Sequence, residues 1–243
     1  MTNQAVPALF FLAGLTCTEE TIPIKAGAQR YAALDGIALI TPDTSPRGAG
    51  CPGETDNWDS GVGAGFYVDA TQTPWSTHYR MYSHIHYELR ETILRYFPID
   101  DSRIGIFGHS MGGHGALVFA LRNPEIYRSV SAFAPITAPT RCPWGRKAFE
   151  GYLGDSPELW KANDATELVL GAAQRYPGTI LIDQGLDDQF LGAQLNIDLF
   201  EQACTARGQP LALRRHAGYD HGYYFVSTFM GDHLAHRAHL LKG

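Results

Sequence analysis

The stretch RIGIFGHSMGGHGALVFAL, residues 103–121, decides how the rest of the chain is read. Its first part, RIGIF, is apolar at successive positions, as in a strand covered on both faces. Its second part, MGGHGALVFAL, has the length and apolar content of a buried helix. Between them stands Gly108-His109-Ser110-Met111-Gly112, a Gly-x-Ser-x-Gly pattern. A sharp strand-to-helix turn around such a serine is the setting of a nucleophile elbow. The glycines have a mechanical reason: side chains at 108 and 112 would collide with neighbouring backbone in so tight a turn. Ser110 then projects at the carboxyl end of a central strand. The N-terminus of the following helix lies beneath it and favours developing negative charge.

Working outward, short apolar runs bounded by turn residues predict strands over Ala8–Leu15, Ile37–Pro42, Arg103–Gly108, Ser129–Ala134, Thr179–Gln184 and Leu211–Arg215. Helical stretches fall between them, over Ala26–Asp35, His78–Phe97, Met111–Leu121, Gly192–Arg207 and Tyr223–Leu241. Strand–helix alternation requires crossover connections, hence an α/β fold with a mostly parallel central sheet and helices on both faces. Residues 1–243 are expected to form a single domain. Two irregular stretches, 43–77 and 135–177, interrupt the rhythm, and long loops in a compact α/β domain often cover a site. They carry Trp58, Phe66, Tyr67, Trp75, Trp144, Phe149 and Tyr152, which makes them candidate pocket walls.

Composition narrows the function classes. Of 243 residues, 44% are hydrophobic and 18% charged, an ordinary globular balance with enough apolar side chains for a core. A net charge of −6 without basic runs argues against a nucleic-acid partner. No apolar run approaches the roughly 20 residues of a membrane-spanning helix. The N-terminal MTNQAVPALFFLAGL has no basic n-region and reads as a buried strand rather than a signal peptide. Four cysteines, Cys17, Cys51, Cys142 and Cys204, form no C-x-x-C pair and suit free thiols in the cytoplasm.

A serine hydroxyl is a weak nucleophile without a base. On this architecture the partners follow in the order serine, acid, histidine. The segment TILIDQGLDDQF, residues 179–190, offers Asp183, Asp187 and Asp188 at a strand end, and LALRRHAGYDHGYYF, residues 211–225, offers His216 and His221. Asp188, in Gly-x-x-Asp just past the strand, is preferred over Asp187, and Asp183 lies within the strand. His221, in the loop before the last helix, is preferred over His216. An oxyanion hole needs two backbone N–H groups. Met111 follows the nucleophile, and Leu15, in the turn of FFLAGLTC, is the second candidate.

Further segments join these: LAGLTCTEE, AGAQR, PDTSPRG, GAGFYVDAT, HYRMY, SVSAFAPI, CPWGRKAF and GYLGD. Together they resemble the S-formylglutathione hydrolase family, also called the esterase D family, over nearly the whole chain. The resemblance implies an α/β-hydrolase fold and a cytosolic serine thioesterase, without a cofactor, that releases formate and glutathione from S-formylglutathione. It implies Ser110, Asp188 and His221 as the triad, Leu15 and Met111 as oxyanion donors, and Cys17 as a neighbour of the site. It also suggests a homodimer. Two departures stand out. Family members carry an additional N-terminal segment, expected to pair at the sheet edge away from the nucleophile, and Ala13 stands where the family usually has serine. A formyl group is small, so a shallow acyl pocket is expected, with Trp58, Phe66, Tyr67 and Trp144 as candidate walls. Arg47, Arg141, Arg146 and Lys147 are candidates to meet the carboxylates of glutathione.

Rival chemistries find less support. His84 and His86 are two apart and would lie on different faces of a helix. His233, His236 and His239 could share a face, but no H-E-x-x-H motif accompanies them, so no metal site is expected. His114 reads as a packed helix residue. GVGAGF, residues 61–66, is not G-x-G-x-x-G and lacks a flanking strand and helix. A carboxylesterase acting on short-chain esters would use the same machinery, and an acyltransferase would differ only in its acceptor.

Overall fold

The computed structural model describes residues 5–241, with side chains as far as His236. Among the described residues six strands form one sheet: β1 (Val6–Leu12), β2 (Ala38–Ile40), β3 (Ile99–His109), β4 (Tyr127–Phe133), β5 (Ile180–Gly185) and β6 (Leu211–His216). All neighbours are parallel, in the order β2-β1-β3-β4-β5-β6. The expected α/β architecture with a parallel sheet is therefore observed. The third strand starts earlier than expected, at Ile99, and the second is only three residues long.

Both faces of the sheet are covered, and adjacent residues of β4 show how. The side chain of Ala132 lies under Gly113, in the helix Met111–Arg122. Phe133, pointing the opposite way, packs its ring on Phe225 and His233 of the helix Tyr223–Leu241. That last helix in turn packs on the short helices Thr21–Ala26 and Ala28–Asp35. The buried cluster includes Phe10, Phe11, Phe107, Phe119, Tyr127 and Phe133, all nearly inaccessible. Burial of such side chains supplies most of the drive to fold, about 1.5–3 kcal/mol each.

The helical expectations hold with three differences. Thr21–Ala26 is a separate helix that the sequence reading missed, divided from the next by Gly27 at φ 59°. The stretch 78–97 is helical but not uniform: a π-helical segment spans His84–Leu89 between Met81–Ser83 and Arg90–Tyr96. Its His86 is buried, stacked on Tyr82, with Nδ1 3.2 Å from Tyr127 Oη. The stretch 192–207 breaks at Asn196, a left-handed residue with φ 52°. Thr137 Oγ1 lies 2.8 Å from the Leu195 carbonyl and 2.9 Å from that of Asn196, pinning the break.

The two irregular stretches are stitched together. Residues 43–77 contain only the short 3-10 turn Trp75–Thr77, whereas 135–177 hold the helices Pro143–Leu153, Pro157–Ala162 and Ala165–Gly171. Tyr152 joins them: its hydroxyl donates to the Ala64 carbonyl at 2.9 Å and accepts from the Gly61 N–H at 2.7 Å. Its ring packs against Trp75 and Tyr79. Phe66 and Tyr67 take left-handed turns, φ 49° and 55°, that drive both rings into the core.

Candidate active site

The register of the sheet brings the carboxyl ends of five strands together. Leu12 of β1 pairs with Gly108 of β3, which pairs with Ala132 of β4. Phe133 pairs with Asp183, and Gly185 with His216. At the end of β3 the chain turns directly into the helix Met111–Arg122. Ser110 sits at that turn with φ 58° and ψ −120°, a conformation that L residues rarely adopt. Its N–H donates to the Phe133 carbonyl at 2.9 Å, and its carbonyl accepts from His114 N–H at 3.0 Å and Ile136 N–H at 3.3 Å. The strain is thus held by backbone bonds on both sides. The elbow glycines behave as their positions require. A Cβ at Gly108 would strike the Gly112 carbonyl, and a Cβ at Gly112 would strike the Leu12 carbonyl.

The turn after β5 places Asp188, and the loop after β6 places His221. His221 Nδ1 donates to Asp188 Oδ2 at 2.5 Å, and the carboxylate is fully buried. Asp188 also accepts from the Phe190 N–H at 2.8 Å and from Gln184 Nε2 at 3.3 Å. This bond leaves His221 Nε2 as the ring nitrogen available to take a proton. Ser110 and His221 line the same cavity of about 220 Å3, together with Gly14, Leu15, Thr16, Cys17, Trp58, His109, Trp144 and Phe190. Among the described residues, Ser110 Oγ makes no direct hydrogen bond to His221. Such bonds often tighten only when substrate is in place.

The other acids and histidines weighed from the sequence lie elsewhere. Asp187 is exposed. Asp183 is buried and holds Arg214 through two contacts of 2.5 Å, His216 at 3.2 Å and His233 at 3.1 Å. Burial works to raise the Asp183 carboxyl, but hydrogen bonds from His233, Arg214 and His216 outweigh it and hold the group well below the usual range. His216 is therefore committed to a structural cluster, with its ring stacked on Phe229. His114 is buried beside Phe66 and Phe149, away from the cavity.

The loop after β1 faces the elbow. An added Cβ at Gly14 would lie 3.1 Å from Ser110 Cβ, so the loop comes close to the elbow at Gly14. Thr16 N–H donates to the Gly63 carbonyl at 2.9 Å. Thr44 Oγ1 donates to the Cys17 carbonyl at 2.6 Å, and Arg47 reaches the same carbonyl at 3.1 Å. These contacts fix the loop while, among the described residues, the N–H groups of Leu15 and Met111 have no protein acceptor. Cys17 Sγ lies 3.8 Å from Tyr223 Oη at the cavity wall.

Aromatic rings shape the cavity. Trp58 meets Trp144 edge to face at 5.6 Å, Trp144 packs on Phe190 at 4.7 Å, and Phe190 meets the His221 ring at 5.0 Å. Trp58 and Trp144 line the cavity. Phe66 and Tyr67 do not: both are core residues, and Tyr67 Oη donates to the Ala13 carbonyl at 2.8 Å from beneath the loop after β1. Phe190 was missed, although it follows the acid by only two residues. The four candidate cations do not line this cavity. Arg47 is bound to Asp43, Arg141 lies 3.6 Å from Glu167, and Lys147 is paired with Asp59, whereas Arg146 is exposed. A larger cleft of about 550 Å3, lined by Leu121, Tyr176 and Arg207 among others, contains none of the groups described above. Among the described residues no group of three or more potential ligands could hold a metal ion. The His239 side chain lies outside the described residues.

An elbow serine, a histidine bound to a buried carboxylate and two N–H groups without a protein acceptor among the described residues match the working parts of a serine hydrolase, here on an α/β-hydrolase fold. Residues 1–236 match the family model described as "Putative esterase". The chain is 56% identical over 240 residues to the S-formylglutathione hydrolase of Rattus norvegicus, covering 97% of this chain and 84% of that protein. It is 52% identical over 237 residues to the Arabidopsis thaliana S-formylglutathione hydrolase, covering 97% of this chain and 83% of that one. Among solved structures, an S-formylglutathione hydrolase from Agrobacterium tumefaciens matches with a TM-score of 0.94 and 49% identity, over 98% of this chain and 85% of that chain. The chain belongs to the S-formylglutathione hydrolase family of esterases. No helix among the described residues is long and apolar enough to cross a membrane.

Proposed function

We propose that this chain hydrolyses S-formylglutathione to glutathione and formate through a formyl-enzyme on Ser110. The observation that carries the mechanism is the meeting of Ser110, His221 and the Leu15 loop around one small cavity. The high identity to S-formylglutathione hydrolases carries the substrate.

His221 Nε2 takes the Ser110 proton as Oγ attacks the thioester carbonyl. The Leu15 and Met111 N–H groups receive the oxyanion, one such donor being worth about 3 kcal/mol of barrier. Asp188 holds the His221 tautomer and stabilises the imidazolium. The C–S bond breaks, and the glutathione sulfur leaves with the proton from His221. Water then attacks the formyl ester, giving its proton to His221, and formate departs as Ser110 regains its hydrogen. Trp144 and Phe190 close the acyl side of the cavity.

The same reading takes residues 1–243 as one domain carrying one site, acting as a homodimer in the cytoplasm. Four free thiols suit that reducing compartment. The test is kcat/KM for S-formylglutathione beside p-nitrophenyl acetate. The reading expects a strong preference for the thioester. Turnover of the activated ester alone would instead identify a carboxylesterase of short-chain esters.

A further inference from the structure

We propose that His109, the residue before the nucleophile, is a positioning residue for His221: its Nε2–H clamps the His221 backbone carbonyl while its ring backs the His221 imidazole. The inference rests on the serine-hydrolase reading above and deepens it.

The His109 ring is buried at the end of β3. Its Nε2 lies 3.1 Å from the His221 carbonyl oxygen. A carbonyl only accepts, so Nε2 carries the proton and Nδ1 presents a lone pair. The ring centroids of His109 and His221 are 4.6 Å apart, tilted by 42°, and Tyr223 closes the other side at 5.2 Å. Nδ1 faces the oxyanion loop, where a Cβ on Gly14 would come within 3.4 Å of it. One side chain therefore joins the nucleophile's strand to the loop of the base and borders the loop of the oxyanion hole.

Packing alone does not explain a histidine here. A buried imidazole gives up its hydration, and a phenyl ring would fill the space without that cost. What imidazole adds is the donor to the His221 carbonyl. The bond of the His221 side chain to Asp188 fixes its ring at one end. The clamp fixes its backbone at the other, so Nε2 is aimed from two points. Burial and the neighbouring His221 hold the His109 imidazole well below its usual range, so the clamp stays neutral when His221 becomes charged.

The test compares His109→Phe, which keeps a ring and loses the donor, with His109→Gln, whose amide nitrogen can reach the place of Nε2. Each is assayed for kcat and KM on S-formylglutathione and on p-nitrophenyl acetate. Thermal melting and fluorophosphonate labelling carried to its end point count the folded sites. Misplacing a catalytic group by an ångström can cost two decades of rate, so the phenylalanine variant is expected to lose about 10–100-fold in kcat with KM within about twofold. The glutamine variant is expected to recover most of the loss. Should the phenylalanine variant not accumulate folded, His109→Asn, too short to reach the carbonyl, carries the same expectation. Wild-type kcat in the folded donor-less variant overturns the proposal, as does a folded glutamine variant as impaired as phenylalanine. If the wild type cleaves the ester but not the thioester, the substrate assignment fails, and the variants are still decided on the ester.

Discussion

His221 Nδ1 and Asp188 Oδ2 lie 2.5 Å apart although 33 residues separate them in the chain. The parallel pairing of β5 with β6, Gly185 opposite His216, brings their two loops side by side. With the carboxylate fully buried, the bond fixes which imidazole nitrogen carries the proton. Asp188→Asn keeps the shape and removes the charge. We expect kcat to fall by about 10⁴-fold with little change in KM, read by steady-state kinetics. A variant within tenfold of wild type would remove Asp188 from the triad.

Two glycines should respond to alanine with opposite signs. At Gly112 the added methyl would strike the Leu12 carbonyl, so Gly112→Ala should destabilise by about 3 kcal/mol or more, or fail to fold. Gly151, within the helix Pro143–Leu153, has open space where a Cβ would stand. Gly151→Ala should stabilise by about 0.5–1 kcal/mol through helix propensity. Chemical denaturation of both variants checks the pair.

The acyl wall should set chain-length preference. Phe190 packs between Trp144 and His221. Phe190→Ala should raise activity on acetyl and propionyl thioesters relative to formyl by about 10-fold or more, since a methylene in such a pocket is worth about 1–3 kcal/mol. An unchanged ratio would place the acyl group elsewhere.

Stability should fall on acidification below neutrality. Burial pushes the His114 imidazole from 6.5 down to about 4, with a hydrogen bond to the Phe66 backbone opposing it. Between those values the unfolded chain binds a proton that the folded chain refuses, so stability rises with pH across that window. The contribution is complete above 6.5 and lost as pH falls towards 4, amounting to about 3 kcal/mol. His114→Gln should flatten the dependence of Tm on pH in that window. Asp183, whose carboxyl lies below its usual range, acts in the same direction lower still, below about pH 4.

Much of this was legible from residue order. Ser110 is marked by its glycines, whose missing side chains the structure explains by the Leu12 and Gly112 carbonyls. Asp188 and His221 are marked by their positions just past apolar runs. Phe66 and Tyr67 misled because aromatic content in an irregular loop does not say which way the rings turn. Their left-handed backbone, invisible in composition, sends them inward. Phe190 and His109 were opaque for a different reason: each meets a partner distant in sequence, Trp144 for one and His221 for the other. The π-helical stretch His84–Leu89 keeps helical periodicity approximately, so the sequence read one continuous helix there.

The central claim, that Ser110 is the nucleophile of a thioester hydrolase, is tested most directly by kcat/KM of the wild type and Ser110→Ala on S-formylglutathione. The account predicts efficient turnover by the wild type and a loss of about 10⁵–10⁶-fold in the variant, with folding unchanged by thermal melt. A folded Ser110→Ala protein that retains thioester turnover would contradict it.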